Sequence, residues 1–251
     1  MNVPRLRFKE FDNTWSTKKL NEIASKISDG IHSTPEYEKQ GKYYFVNGNN
    51  FVNNRIVFNE NTKQVSKSEY LKHRSELTPH TILISINGTI GNLAFYDDEK
   101  IVLGKSACYI NLKPEENKYF VFNLLQTSNI KNHFEKELTG STIKNLSLTT
   151  IKHTQVFIPE LPEQTKIANF LTAIDEKITQ LTQKCDLLAQ YKKGVMQQIF
   201  SQKLRFKDDD GREFPEWEER ELRDLCDLIT KGRERHQHLS VMNSRPAALI
   251  L

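Results

Sequence analysis

A long proline-free segment with regularly spaced apolar residues constrains this chain more than any other feature. Between Glu163 and Ser201 no proline occurs, and apolar residues recur at alternating intervals of four and three positions. The positions are Ile167, Leu171, Ile174, Ile178, Leu181, Cys185, Leu188, Val195 and Ile199. This heptad pattern predicts one continuous helix, interrupted in its apolar stripe at Lys192. Such a helix would extend roughly 58 Å, too far to bury its stripe against one small domain. We therefore expect it to pair with another helix as a coiled coil.

The chain also contains an internal repeat that starts again just after this segment. The run Leu6, Arg7, Phe8, Lys9 returns as Leu204, Arg205, Phe206, Lys207, and a tryptophan follows each copy, Trp15 and Trp217. A repeat of this length marks a module boundary near residue 203. The sequence therefore predicts four segments, which are a domain over 1–160, the long helix over 161–203, the start of a second domain over 204–232 and an aberrant tail over 233–251. The second domain is expected to be interrupted soon after it begins.

Residues 1–160 mix strand and helix signals. Short β-branched or aromatic runs bounded by turn residues predict strands at 43–47, 81–86, 93–96, 107–112 and 155–158. Helical spacing predicts a first helix with Leu20, Ile23, Ala24 and Ile27 on one face, and a further helix within 117–138. The predicted fold is an α+β globular domain followed by a long coiled-coil α-helix.

Composition and charge narrow the protein class. No apolar run approaches the ~20 residues of a membrane span, and no apolar signal segment follows the charged N-terminus, so we expect a cytoplasmic protein without membrane contact. Cys108, Cys185 and Cys226 are widely separated and the histidines lack ligand spacing, so no metal site is predicted. The net charge is only +4, but residues 1–160 carry 21 Lys and Arg against 17 Asp and Glu. This surplus suits phosphate contacts.

The segment from Ile158 to Ala168 is the most specific string in the chain. It combines a strand end, a proline-stiffened turn, the pair Glu163-Gln164 and the start of the long helix. With the heptads and the restart at Leu204, it resembles the conserved region of type I restriction-modification DNA-specificity subunits. Two loops are similar to those of the family's recognition domains. They are Asp29-Gly30-Ile31-His32-Ser33-Thr34-Pro35, which resembles an Asp-Gly-x-His-x-Thr-Pro loop, and Asn87-Gly88-Thr89-Ile90-Gly91-Asn92, which resembles a glycine turn after a strand.

The resemblance implies a non-catalytic subunit that binds double-stranded DNA and docks methyltransferase subunits, with the restriction subunit joining through the complex. It implies no cofactor for this chain, because S-adenosylmethionine, ATP and Mg²⁺ would be bound by the partner subunits. Full-length members have two recognition domains separated by paired antiparallel helices, whereas this sequence shows one domain and one helix. We therefore predict a half-subunit that reads one half of a bipartite target and forms a homodimer through antiparallel helices. Two-fold symmetry would make the target an interrupted palindrome.

The candidate DNA-binding residues are polar or basic side chains of the predicted loops. Asparagine can bind adenine bidentately, hydroxyl and imidazole groups offer donors and acceptors, and lysine and arginine suit phosphates. The candidates are His32, Ser33, Thr34, Asn47, Asn49, Asn50, Lys63, Lys67, Lys72, Arg74, Asn87, Thr89, Lys105, Ser141, Thr142 and Lys144. Each type also has a plainer interpretation, since asparagine is a common turn residue and lysine a common solvated one.

Two alternatives from other functional classes stay open. The adjacent acids Asp97, Asp98 and Glu99 could serve a stand-alone DNA-processing enzyme, although such a triplet more simply forms a turn. The run Gly104-Lys105-Ser106 mimics the end of a P-loop, but Glu99 replaces the first glycine of that motif, so ATP binding is not predicted and no catalytic constellation is found. The second alternative is a coiled-coil adaptor without DNA affinity, which predicts no salt-sensitive DNA binding.

Overall fold

The chain forms two compact units, which meet in sequence at Lys184 and Cys185. A computed structural model describes residues 4–140 and 144–226. The strands are β1 Ser16–Lys19, β2 Ala24–Asp29, β3 Tyr37–Glu38, β4 Tyr43–Val46, β5 Phe51–Val52, β6 Arg55–Ile56, β7 Gln64–Val65, β8 Thr81–Ser85, β9 Leu93–Phe95, β10 Ile101–Leu103, β11 Ala107–Leu112 and β12 Gln155–Ile158. The helices are α1 Leu20–Ile23, α2 Lys67–His73, α3 Lys118–Leu125, α4 Ser128–Lys136, α5 Leu148–His153, α6 Leu161–Phe200 and α7 Leu222–Leu225.

A four-stranded antiparallel sheet, in the order β2-β11-β8-β9, forms the centre of the first unit. Every residue of β8 and β11 is buried, as expected for strands that are covered on both faces. Because side chains alternate across a strand, Ile82 and Ile110 lie in one core and Leu83 and Tyr109 in another. The central sheet therefore has a hydrophobic core on each side.

Different elements cover the two faces of this sheet. Residues of α1, α3, α4 and α5 form the first core with it. The second core includes residues of a mixed sheet, β10-β4-β7-β3, in which β4 and β10 pair in parallel. Within the described ranges, no buried side-chain nitrogen or oxygen lacks a hydrogen-bond partner. The polar groups that these layers enclose are satisfied, as a stable core requires.

The predicted strands are confirmed. Two of them, 107–112 and 155–158, coincide with β11 and β12, and the other three match observed strands to within one residue at either end. The fold class is confirmed as well, because a sheet-rich α+β unit leads into a helix of 40 residues, α6. Among the helices that the structure describes, none is long and apolar enough to cross a membrane.

Two helix predictions were wrong in extent. The face with Leu20, Ile23, Ala24 and Ile27 does not belong to one helix, because α1 is a single turn and the chain continues as β2. Pairing of β2 with β11 outweighs the local helical spacing, and all four side chains still reach the core. The helix expected within 117–138 is two helices, α3 and α4, which are separated at Gln126 and Thr127.

Candidate nucleic-acid interface

Several polar loops of the first unit converge at one region, and the loop after β2 is tied to the strand β10. The backbone N–H of Ile31 donates to the Leu103 carbonyl at 2.8 Å, and that of Gly30 donates to the Ala107 carbonyl at 3.0 Å. A Cβ atom on Gly30 would lie 2.0 Å from the Leu103 carbonyl oxygen, so only glycine permits this approach. The exposed run His32, Ser33, Thr34 is thereby held next to the loop that carries Lys105.

The loop after β4 joins the same region through Ser106. The backbone N–H of Gly48 donates to Ser106 Oγ at 3.0 Å, and that hydroxyl donates to Asn47 Oδ1 at 2.9 Å. A Cβ atom on Gly104 would lie 2.3 Å from Asn47 Oδ1, which again shows a close approach. The result is a fixed pair of loops, with Asn49 exposed on one and Lys105 on the other.

The loop after β8 and the segment before α5 complete the group. Asn87 Nδ2 donates to the Lys105 carbonyl at 3.3 Å, and a β-bridge joins Asn87 to Asn145, which also bridges to Thr139. Thr89 and Lys144 are exposed here. We define the loop cluster as residues 30–35, 47–50, 87–92, 104–106, 139–140 and 144–145.

Many of the predicted DNA-binding residues meet in this loop cluster. Its exposed candidates are His32, Ser33, Thr34, Asn49, Thr89, Lys105 and Lys144, and Asn87 is half-buried among them. His32 Nε2 lies 2.7 Å from Asp29 Oδ2, which orients the imidazole. Ser141 and Thr142 lie outside the described residues. Donors, acceptors and two lysines therefore share one surface, which is the combination that base and phosphate recognition requires.

Two of the predicted asparagines instead hold their own loop. Asn50 is 6% exposed, its Oδ1 accepts from the Asn47 backbone N–H, and its Nδ2 donates to the Val57 carbonyl and to Thr62 Oγ1. Asn47 Oδ1 accepts from Ser106. For Asn47 and Asn50 the structure thus shows the plainer role of turn and loop chemistry. Asn49 carries an amide that is exposed to solvent.

The remaining basic candidates lie around β7 and α2. Lys63 and Asn49 both line a cavity of about 210 Å³, together with Tyr37 and Asn61, which the sequence did not single out. Lys67 and Arg74 are exposed, whereas Lys72 Nζ lies 3.6 Å from Glu69 Oε1 and is partly neutralised. Glu36, which directly follows residues 30–35 of the loop cluster, is joined to α2 by a hydrogen bond of 3.3 Å from its backbone N–H to Glu69 Oε2. The asparagine-rich stretch around Asn61 was a sequence signal from which Asn61 could have been identified as a candidate.

The start of α6 is locked into the first unit by buried polar groups. Arg7 Nε and Nη2 donate to the two oxygens of Glu163 at 2.7 and 2.6 Å, and Trp15 Nε1 donates to Glu163 at 3.2 Å. Gln164, which is 1% exposed, donates to Glu116 and to the Pro159 carbonyl. The hydrogen bond to Glu163 raises the pKa of Arg7, so its charge persists. The Glu163-Gln164 pair therefore fixes the helix at its base.

Among the described residues, the predicted stripe of α6 is half-buried at its two ends and exposed between them. Ile167 and Leu171 are half-buried, but the next apolar positions are exposed to solvent. The exposed fractions are 41% for Ile174, 55% for Ile178, 50% for Leu181 and 55% for Leu188. Cys185 is exposed, whereas Val195 and Ile199 are half-buried. In the part of the chain that the structure describes, five of the nine heptad positions are thus exposed to solvent.

The acids proposed for an enzymatic alternative form a turn between β9 and β10. The Asp97 backbone N–H donates to Glu99 Oε2 at 2.7 Å, and Asp98 has a positive φ of 61°. In the described part of the chain, no group of three or more His, Cys, Asp or Glu is arranged to hold a metal ion. The geometry here is that of a tight turn.

Comparisons with known proteins agree with this architecture. A protein of Methanocaldococcus jannaschii that is assigned as the specificity subunit of the type I restriction enzyme MjaX is 26% identical over 264 residues, which cover 98% of this chain and 59% of that protein. The S subunit of a type I restriction-modification system from M. genitalium has a similar fold, with a TM-score of 0.50 and 20% identity over 81% of this chain and 49% of that chain.

A further solved structure, which concerns complex assembly and conformational transition of a type I restriction-modification system, gives a TM-score of 0.52 with 15% identity over 73% of this chain and 44% of the other. The chain spans about half the length of the relatives it matches. The sequence family described as the type I restriction modification DNA specificity domain matches residues 12–189, well over half of the chain. The chain therefore belongs to the type I restriction-modification DNA specificity family.

Proposed function

We propose that this chain is a sequence-specific DNA-binding specificity subunit of a type I restriction-modification complex, in which it reads one half of a bipartite target. The observation that carries the proposal is the loop cluster, where exposed His32, Asn49, Thr89 and Lys105 lie on loops that are hydrogen-bonded to one another or to the same strands. Loops that are positioned by a buried scaffold are a common site of recognition, because their side chains can vary without loss of the core. Family membership supports the same role.

The surface has both kinds of group that DNA recognition uses. Lys105 and Lys144 provide positive charge for phosphates, which sets affinity and register. His32, Ser33, Thr34 and Asn49 provide the donors and acceptors that can distinguish base edges. Lys63, Lys67 and Arg74, which lie near β7 and α2, provide further exposed basic groups.

We further propose that two copies pair through α6 in antiparallel fashion. The exposed stripe at Ile174, Ile178, Leu181 and Leu188 has heptad spacing, and such a stripe gains stability by packing against a second helix. The pair would carry two loop clusters related by a two-fold axis, so the two half-sites would be equal and the target an interrupted palindrome. The length of α6 would set the spacer between them.

The chemistry would belong to other subunits. Methyltransferase subunits would dock on this chain and bind S-adenosylmethionine, and the restriction subunit would join through the complex and use ATP and Mg²⁺. The chain itself would bind and position DNA, in the cytoplasm, without taking part in bond making or breaking. The alternatives, a coiled-coil adaptor and a stand-alone enzyme, are outcomes of the same test.

The test joins target identification to a measurement of salt dependence. Purification with the methyltransferase subunits, followed by sequencing of methylated sites, should yield one bipartite motif. Binding of the chain to that motif, measured by fluorescence anisotropy at several salt concentrations, should weaken steeply as salt rises. Lys105→Ala and Lys144→Ala should each weaken binding and reduce the slope of log affinity against log salt by about 1.

A matched control is Lys136→Ala, which removes an exposed lysine on α4 outside the loop cluster and should leave the slope unchanged. If DNA retention does not depend on salt, the adaptor alternative replaces the proposal. Methylation or cleavage by the chain alone, in the presence of Mg²⁺ and S-adenosylmethionine, would establish the enzyme alternative. If Lys136→Ala lowers the slope as much as Lys105→Ala, the location of the interface is wrong.

A further inference from the structure

The N-terminal segment of the chain packs against the start of α6 and holds it in place. We call residues 4–15 the first strap. Beyond the ion pair of Arg7 with Glu163, Phe8 packs edge-on against Phe170 with ring centroids 5.9 Å apart. Lys166 Nζ lies 3.3 Å from Glu10 Oε1 and 5.4 Å from the centre of the Phe8 ring. An arginine, an aromatic ring and an acid of the strap thus each have a matching partner on the helix.

The repeated segment of the second unit has the same local construction. We call residues 204–217 the second strap. Arg7 Nη2 donates to the carbonyl of Asn13, two residues before Trp15, at 2.6 Å. Arg205 Nη2 likewise donates to the carbonyl of Pro215, two residues before Trp217, and to that of Phe214 at 3.0 Å.

The extra residues of the second strap are taken up by a hairpin. Lys207 and Glu213 form a β-bridge, and their side chains lie 3.5 Å apart. Asp208 accepts from Arg212, and Gly211 has a positive φ of 80° in the turn. The insertion therefore leaves the arginine and the tryptophan in the same relation to each other as in the first strap.

The second strap differs in what it binds. In the ranges that the structure describes, no carboxylate pairs with Arg205, whereas Arg7 holds the buried Glu163. Leu204, Phe206 and Trp217 are 41%, 69% and 48% exposed. Trp217 packs edge-on against Phe200, with ring centroids 5.9 Å apart, whereas the Phe206 ring is the more exposed. The second strap therefore offers a cation and an aromatic ring, which are groups that the start of α6 accepts from the first strap.

We propose that the second strap of one copy replaces the first strap on the start of α6 in a second copy. This inference rests on the proposed pairing of two copies through α6. Antiparallel pairing places the end of one helix, from which the second strap follows, beside the start of its partner. Arg205 would take the place of Arg7 at Glu163, Phe206 that of Phe8 at Phe170, and Asp208 that of Glu10 at Lys166. Arg205 and Phe206 repeat the residue types of Arg7 and Phe8, and Asp208 repeats the negative charge of Glu10 but would have to exchange its ion pair with Arg212 for one with Lys166.

The exchange can be tested by cross-linking two different full-length chains. Both carry Cys185→Ser and Cys226→Ser to remove the exposed thiols, while the buried Cys108 stays. One chain then receives Phe206→Cys, and the other, with a distinguishable tag, receives Phe170→Cys. After mixing and mild oxidation, a non-reducing gel should show a covalent heterodimer. Adding Arg7→Ala to the second chain should raise its yield, because the competing first strap is loosened, and adding Arg205→Ala to the first chain should lower it by roughly tenfold.

The matched control replaces Phe206→Cys by Leu71→Cys, an exposed position on α2 outside the strap, which should give little product. Light scattering of the same mixtures reports whether the chains pair. Pairing without the cross-link, whether Arg7 is intact or replaced, would overturn the exchange and leave the paired assembly standing. Monomers throughout would overturn both. Equal product from the Leu71→Cys control would also overturn the exchange, because the product would then reflect random collision.

Discussion

The body of the first unit, by which we mean residues 4–140 and 144–160, and the long helix α6 differ in how far they bury their apolar residues. In the body, every residue of β8 and β11 is buried, and the polar atoms enclosed with them are hydrogen-bonded. Along α6, the apolar positions from Ile174 to Leu188 are about half exposed. The body buries its apolar residues within one chain, whereas the heptad spacing of α6 is typical of a helix that packs against another helix. This difference separates the residues that maintain the fold from those that we propose to pair two copies.

Thiol reagents should show the largest difference between the two regions, because each region contains a cysteine. Cys108 lies in β11 with no exposed surface, and burial raises the pKa of its thiol. Cys185 on α6 is exposed. In dilute solution, where pairing is minimal, labelling of Cys108 should be at least about 1,000-fold slower than that of Cys185, since it requires opening of the body.

The measurement is a time course of maleimide labelling followed by mass spectrometry of peptides, with Cys226 as an exposed reference outside the heptad positions. Raising the protein concentration should slow the labelling of Cys185 and leave that of Cys226 unchanged. Cys185 is a heptad position, so the proposed pairing of two helices would cover its thiol. Rapid labelling of Cys108 in the native chain would show that the body is not the closed core described above.

Substitutions in the stripe of α6 should affect self-association without affecting the body. Leu181→Asp combined with Leu188→Asp should weaken self-association by at least about 100-fold, because an apolar seam loses two leucines and gains two charges. In dilute solution, where the unmodified chain is also unpaired, the unfolding temperature of the first unit should not change, since both side chains are exposed in the single chain. Light scattering and thermal unfolding followed by circular dichroism report the two quantities.

The control for this variant is Gln183→Asp combined with Gln190→Asp. These residues have the same spacing of seven positions on the same helix but lie on the opposite face of the heptad. The control should retain association. A strict monomer for the unmodified chain at micromolar concentration would contradict the pairing itself, and equal loss in both variants would show that charge on the helix, not the stripe, is responsible.

The sequence predicted the helix and the central strands because each has a single dominant signal. Heptad spacing without proline defines α6, and β-branched runs bounded by turn residues define β8 and β11. The short hairpin of β5 and β6 was missed because each strand has only two residues. Its turn residues Asn53 and Asn54 have φ values of 50° and 64°, which is the turn role that asparagine often plays.

The site was less predictable because it depends on contacts between distant loops. The pairing of β2 with β11, which local spacing concealed, brings Gly30 and Ile31 against β10 and so places His32 near Lys105. No short window of sequence contains that information. Nor could composition tell that Asn50 is enclosed by hydrogen bonds while Asn49, its neighbour, is exposed. The candidate residue types could be predicted from the sequence, whereas tertiary contacts determine which of these residues are exposed and which are enclosed.

The smallest expected effect is a difference in stability between substitutions at the neighbouring residues Asn50 and Asn49. Asn50→Ala should lower the free energy of unfolding by roughly 2 kcal/mol, because the backbone N–H of Asn47 and the carbonyl of Val57 each lose a hydrogen-bond partner. The unfolding temperature should fall by about 5 °C. Asn49→Ala should leave stability within about 0.5 kcal/mol of the unmodified chain, as is usual for an exposed side chain.

For DNA selectivity the order of the two variants should be reversed, with the larger effect at Asn49. Asn49→Ala should change the preference between bases in the half-site, measured by competition binding with single-base variants of the target. If Asn49→Ala binds every variant as the unmodified chain does, Asn49 is an ordinary surface residue and the readers of the loop cluster are reduced to its hydroxyl, imidazole and lysine side chains.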